Sequence, residues 1–189
     1  MVILSSEEFR AQENNRIQMG LESLINMINL QSTRGFGHDG MNPTVETSLN
    51  NNEYIGYLMI NNKVAASGFG NIDGQGNIDS QGNKYKTMYL HSISVSEEFR
   101  GQGLCKQITD EFIKKFGKNH VLYLTVRTEP GNENTSGIKC YEKNGFIMLP
   151  QVYRDHYDGK NNAMIRLPTN SKNSIRSRRR RKKTRFKRK

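Results

Sequence analysis

Between Tyr85 and Phe116 the chain changes its periodicity once, and that change narrows the folds open to it. From Tyr85 to Val95 the residues alternate as in a strand, with Tyr89, His91, Ile93 and Val95 on one face and Met88, Leu90, Ser92 and Ser94 on the other. After the segment Arg100-Gly101-Gln102-Gly103-Leu104-Cys105, the apolar residues Leu104, Ile108, Phe112 and Phe116, with Ile113, recur at helical spacing, and Gly117 marks the stop. A strand delivered straight into a helix through a glycine turn points to a sheet layered with helices.

The rest of the chain extends that pattern. Val2-Ile3-Leu4 reads as a brief strand, and Ser5 with Glu8 three residues on forms a capping box at a helix start. Phe9, Ile17, Leu21, Leu24, Ile25 and Ile28 then mark one helix or two, ending near Leu30. Residues 31–52, with Gly35, Gly37, Gly40 and Pro43, read as a long loop. Tyr54 to Ile60, the turn residues Asn61 and Asn62, and Val64 to Phe69 read as an antiparallel hairpin. A polar, glycine-rich stretch, Asn71 to Asn83, separates it from the next strand. Val121 to Val126 is a strand, Thr135 to Asn144 a helix, and Phe146 to Val152 and Ala163 to Leu167 are the last strands. The class is α/β (α+β), a mixed sheet flanked by helices.

The 189 residues suit one domain, and no apolar run reaches the roughly 18 residues a spanning helix needs, so no membrane partner is expected. The first ten residues show no basic segment leading into an apolar one, so no secretory signal is expected. The formal net charge of +11 is unevenly placed: residues 169–189 carry 12 of the 29 Lys and Arg and no acid, leaving 17 bases against 18 acids in residues 1–168. The body is therefore close to neutral, and residues 169–189 read as a separate basic, disordered tail. Its run of six bases, Arg178 to Lys183, suits non-specific nucleic-acid binding through residues 172–189 or a nuclear address. Cys105 and Cys140 lie in no CxxC pattern and have no His at metal-ligand spacing, so free thiols in an intracellular, reducing compartment are expected and no metal.

Two glycines ahead of a helix allow the backbone to come close to an anion, and the first helical N–H groups have no internal acceptor. Taken alone, that signal also fits a tight turn holding nothing. A second segment, Asn134-Thr135-Ser136-Gly137-Ile138-Lys139-Cys140-Tyr141-Glu142-Lys143-Asn144-Gly145-Phe146, lies some thirty residues on. Together the two resemble the GNAT acetyltransferase superfamily. Arg100 to Cys105 matches its Arg/Gln-x-x-Gly-x-Gly/Ala signature, with Cys105 where Gly or Ala is usual. Asn134 to Phe146 matches its Asn…Tyr-Glu-Lys-x-Gly-Phe segment, with Gly137 in a position usually held by Ala. The resemblance covers about Val2 to Leu167 and implies the family's mixed, mostly antiparallel sheet, with residues 1–168 as the catalytic domain.

It also implies transfer of acetyl from acetyl-CoA to an amine. Backbone groups of Ile93, Ser94 and Val95 would bind the pantetheine arm, in a gap where the strands containing Val95 and Val126 splay. Arg100, Gly101, Gln102, Gly103, Leu104 and Cys105 would cradle the pyrophosphate. Asn134 reads two ways, as a contact to the pantetheine arm or as an ordinary helix N-cap. Tyr141 is the candidate general acid for the departing thiolate. His91 is the candidate general base, since an unperturbed imidazole titrates near ~6.5, with Tyr89 or Glu53 relaying a proton through water as alternatives. The cysteines are read as small packing residues.

The acceptor would be selected by residues 31–52 and by 152–162. Tyr153, Asp155 and Tyr157 resemble the branch of the family that acetylates protein N-termini, the tyrosines holding the peptide and the carboxylate drawing the ammonium. Small amines or polyamines are the alternative acceptors. A catalytically idle module of this fold, tethered by its basic tail, is the alternative from another class.

Overall fold

A computed structural model of the chain describes residues 2–12, 17, 19–23, 54–78, 84–128, 130–131, 133–154 and 160–169. Seven strands form one sheet: β1 (Val2–Ser5), β2 (Tyr54–Ile60), β3 (Lys63–Ile78), β4 (Lys84–Val95), β5 (His120–Arg127), β6 (Ile147–Arg154) and β7 (Lys160–Arg166). Three helices have described ends: α1 (Ser6–Arg10), α2 (Leu104–Phe116) and α3 (Thr135–Lys143). The strand order is β1-β2-β3-β4-β5-β7-β6. Only β4 and β5 run parallel, and the other neighbours are antiparallel.

Local sequence accounts for the starts and turns. The capping box at α1 is complete: Glu8 N–H donates to Ser5 Oγ at 3.1 Å, and Ser5 N–H donates to Glu8 Oε2 at 2.6 Å. This helix stops at Arg10 and helical backbone returns by 19–23, so the N-terminal periodicity belongs to two helices. Asn61 and Asn62 have φ of 49° and 62°, the left-handed pair that a two-residue hairpin turn requires.

One expectation is corrected, and the stop at Gly117 has its own cause. The polar stretch after Phe69 does not end its strand: β3 runs on to Ile78, paired with β4 through Asn77↔Tyr85 and Ile78↔Lys84. The backbone ladder extends the strand there, and side-chain periodicity carries no trace of it. Gly117 ends α2 without a left-handed turn, at φ −67°. Glycine is needed for space, because a Cβ at 117 would lie 2.7 Å from the Ile113 carbonyl oxygen and 2.8 Å from Arg166 Nη1.

Both faces of the sheet are covered. Met88, Leu90, Leu122 and Leu124 pack with Ile108 and Phe112 of α2 on one side. Ile55, Tyr57 and Phe69 pack with Phe9, Ile17 and Leu21 on the other. The Phe112 ring sits over three sheet glycines, and a Cβ at Gly56, Gly68 or Gly70 would come within 2.9, 3.4 or 3.1 Å of it. The bare backbone lets α2 lie close to β2 and β3, which fixes where its N-terminus points.

Candidate active site

The site is made by a fork in the sheet. β4 and β5 pair from Lys86↔His120 to Tyr89↔Tyr123, and among the described residues no pair joins them beyond that point. β5 follows β7 instead, with Val126 opposite Asn162. β4 stays with β3, with Val95 opposite Ala66. The splay expected between the strands of Val95 and Val126 is therefore present, and one edge of β4 faces a gap.

At that point β4 also turns over. Ser67 pairs with Ser94 and Phe69 with His91, so two steps along β3 answer to three along β4. The extra residue is a β-bulge, with Ser92 at φ 49°. It overturns the expectation that His91 shares a face with Ile93 and Val95. Ile93 and Val95 join the core under α2. Tyr89 and His91 remain on the opposite face, where the rings of Phe69, His91, Tyr89 and Tyr123 stack in series at 5.8, 5.3 and 4.9 Å between centroids.

A cavity of about 460 Å³ opens in the fork. Ile93, Ser94 and Val95 form one wall, the turn from Phe99 to Cys105 a second, and Asn134, Ser136, Gly137 and Tyr141 a third. Of the residues expected at the cofactor, only Gln102 is absent from the lining; it is exposed on the far side of its turn. Phe99 and Ser136 line the cavity without a role expected for them, and Gly137, expected only as a small residue of the second segment, lines it too. Phe99 is held by the 3₁₀ turn Glu97–Phe99, a feature with no periodicity to betray it.

The turn is shaped for an anion. Gly101 and Gly103 adopt φ of 79° and 75°, and a Cβ at either would meet nothing within 4 Å. Gly103 is the N-cap of α2, offers no side chain to the first amides, and no acid stands in the first turn. Those N–H groups and the helix dipole therefore face the cavity uncompensated. Arg100 adds a cation at the rim, 3.3 Å from Glu97. A diphosphate suits this cradle, and the open edge of β4 suits an arm carrying amides, so the residues fit acetyl-CoA.

On the third wall, Asn134 is the N-cap of α3: its Oδ1 accepts the Gly137 N–H at 3.0 Å. A Cβ at Gly137 would lie 2.6–2.8 Å from the Asn134 carboxamide, which explains the glycine. Asn134 thus caps the helix and lines the cavity, and both of its readings have a structural basis. Tyr141 is buried, and burial pushes its phenol up to about 12. The phenol keeps its proton throughout the neutral range.

His91 is pushed down to about 4 by burial, and its Nδ1 lies 3.1 Å from Ser92 Oγ. At neutral pH that burial favours the uncharged imidazole, which lies between the rings of Phe69 and Tyr89. The neighbouring Tyr89 hydroxyl reaches across the fork to Thr125 Oγ1 at 3.3 Å. Tyr153 lies on β6 opposite Asn161, while Asp155, Tyr157, Glu53, residues 31–52 and residues 170–189 are outside the described residues. Among the described residues, no group of His, Cys, Asp and Glu could hold a metal, and no helix is long and apolar enough to cross a membrane.

The two cysteines depart from expectation. Cys105 and Cys140 are joined in a disulfide across 35 residues, their Cα atoms 6.4 Å apart. Packing of α2 beside α3 brings them together, which their sequence spacing does not reveal.

Comparison with known proteins gives the family. Residues 21–146 match the family model for the acetyltransferase (GNAT) family, and the chain belongs to that family. That family is one of acetyltransferases. The chain is 27% identical over 89 residues to N-alpha-acetyltransferase 30 of Saccharomyces cerevisiae, a match spanning 47% of this chain and 49% of the yeast protein. Its fold is similar to a GNAT acetyltransferase from Streptococcus pneumoniae, with TM-score 0.59 at 19% identity, covering 88% of this chain and 98% of the other. A chain of the NatC complex bound to Gag peptide and CoA superposes with TM-score 0.59 at 18% identity, over 88% and 97% of the two chains. Arabidopsis thaliana NAA60, solved with acetyl-CoA, gives 0.52 at 13% identity, over 77% and 94%.

Proposed function

We propose that this chain transfers acetyl from acetyl-CoA to the α-amino group of a peptide or protein. The observation that carries the reading is the fork itself, which sets uncapped helix amides, an open strand edge and a buried phenol around one cavity. Similarity to a yeast N-alpha-acetyltransferase supports the acceptor class, as does similarity in fold to a complex solved with a peptide and CoA.

Acetyl-CoA, when bound, supplies an activated acyl carbon and a thiolate leaving group. The amides at the start of α2 would hold its diphosphate, and the Ile93–Val95 backbone would bind its amide-bearing arm. Tyr141 Oη is protonated at neutral pH, because burial raises its pKa to about 12, and would give that proton to the leaving thiolate as negative charge builds on the sulfur. The amine must shed a proton in turn. Tyr89 Oη and Thr125 Oγ1, hydrogen-bonded across the fork, relay it towards water, while His91 holds the Tyr89 ring by stacking. Tyr153, Asp155 and Tyr157 hold the peptide end. The basic tail keeps the enzyme on nucleic acid through non-specific phosphate contacts.

The test is a thermal-shift titration with acetyl-CoA, followed by thiol release against N-terminal peptides, lysine peptides and polyamines. Saturable stabilisation with release for N-terminal peptides is the expected result. Release with polyamines alone would move the acceptor to small amines. Stabilisation without release for any acceptor would leave an idle module of this fold.

A further inference from the structure

We propose that Cys105 and Cys140 are a redox-controlled clamp on the acetyl-CoA cleft, closed as a disulfide and released as a dithiol. The inference rests on the reading of the cavity as the acetyl-CoA site.

Cys105 sits in one wall of that cavity, and Cys140 lies behind the wall that Tyr141 contributes. Cys105 is the second residue of α2, inside the run of uncapped amides, and it lines the cavity. Cys140 is buried in α3, directly before Tyr141 and outside the lining. Their Cα separation of 6.4 Å lies within the span a disulfide can bridge. Besides this bond, the first turn of α2 is tied to the end of α3 by Asn144 Nδ2, which donates to the Lys106 carbonyl at 3.3 Å. Covalent closure therefore adds a second tie, at a residue of the turn whose amide also belongs to the anion cradle. The backbone there is fixed from the other side too, because buried Thr109 donates its hydroxyl to the Cys105 carbonyl at 2.8 Å.

In a reducing compartment the pair is a dithiol. Oxidation proceeds by exchange with a low-molecular-weight disulfide such as oxidised glutathione. The Cys105 thiolate, favoured at a helix N-terminus, attacks one sulfur of that disulfide and expels a thiolate, giving a mixed disulfide. The Cys140 thiolate then displaces the second small thiol from Cys105. Both cysteines are oxidised, two small thiols are formed, and the two cysteine protons pass to them. The closed clamp holds the cradle in its binding arrangement, so the oxidised chain binds acetyl-CoA more tightly. Linkage requires the converse with the same factor: bound acetyl-CoA makes the disulfide harder to reduce.

The experiment takes the full chain through a graded series of reduced and oxidised glutathione, with thiols alkylated and counted by mass. Acetyl-CoA, which has no free thiol, serves as ligand. The oxidised chain is expected to bind it at least about 5-fold more tightly than the reduced chain, and saturating ligand to shift the thiol–disulfide equilibrium by the same factor. Cys140→Ala, on the residue outside the cavity, should show no gain in affinity at any glutathione ratio, the chain carrying glutathione on Cys105 being counted separately by mass. Two free thiols across the whole series would overturn the clamp. Equal affinity in the two states, or a gain in affinity on oxidation surviving in Cys140→Ala, would do the same. If acetyl-CoA binds in neither state, the acetyltransferase reading falls and takes the clamp with it; binding with equal affinity removes the clamp alone.

Discussion

Replacing Gly103 by alanine separates the two jobs of the turn before α2. The backbone cost comes from φ 75°, and a left-handed conformation costs an L residue about 1–2 kcal/mol. No steric cost is added, since nothing lies within 4 Å of the new Cβ. For a chain of this size each kcal/mol lowers Tm by about 2–4 °C, so the apo variant should melt only a few degrees early. Binding should suffer more. Gly103 lines the cavity, so a methyl group there is expected to crowd the anion cradle, and losing one charge-assisted hydrogen bond costs about 1.5–3 kcal/mol. That is a weakening of acetyl-CoA binding by about 10- to 100-fold, measured by calorimetry beside the melting curve. Gly117→Ala is the control with the opposite signature. Its Cβ would meet the Ile113 carbonyl at 2.7 Å, far from the cavity, so it should lower Tm strongly and leave the affinity of the folded fraction unchanged. A Gly103→Ala chain that melts early but binds within 2-fold of the parent would show that the turn holds nothing, and would refute the cradle.

Tyr141→Phe should leave acetyl-CoA affinity nearly intact and lower kcat by about 10²- to 10⁴-fold, the range for a lost general acid; unchanged turnover in steady-state assays would remove that role. His91, with a folded pKa of about 4 against an unperturbed 6.5, binds its proton more readily in the unfolded chain. Its stabilisation is complete above pH 6.5, declines as the pH falls, and is fully lost below about 4, a span of about 3 kcal/mol. Denaturant midpoints at pH 8 and pH 4.5 should therefore differ less in His91→Phe than in the parent, and an equal difference would contradict the buried neutral imidazole. Removing residues 169–189 should abolish retention on DNA or RNA at low salt and spare thiol release, and equal retention by the shortened chain would sink the tether.

The sequence was most legible where structure is set by neighbours along the chain. The Ser5–Glu8 box, the Asn61-Asn62 turn, and the Gly101 and Gly103 positions all depend on backbone angles or caps that a few adjacent residues decide. The helical face of α2 was legible for the same reason, because one stripe packs against one sheet. What escaped was decided by pairing across the fold. The extension of β3 to Ile78 depends on its partner strand, and the Cys105–Cys140 bond depends on α2 lying beside α3. The bulge in β4 did leave a mark. Its core-facing apolar residues are Met88 and Leu90 and then Ile93 and Val95, so the parity changes from even to odd across Ser92. A strictly alternating reading takes the serines at 92 and 94 as a continuation of the core face and misses that change.

The turnover at Ser92 makes β4 a strand whose count of residues matters more than their kind. Upstream of it Tyr89 and His91 face one compartment; downstream Ile93 and Val95 face the other. Exchanging Ser92 for glycine or asparagine, both at ease with positive φ, leaves that arrangement standing. Removing the residue altogether would rotate Ile93 and Val95 out of the core and carry the backbone past the gap half a pleat early. A one-residue deletion in the middle of β4 is therefore a more disabling lesion than most substitutions along it, and insertions there should be as poorly tolerated.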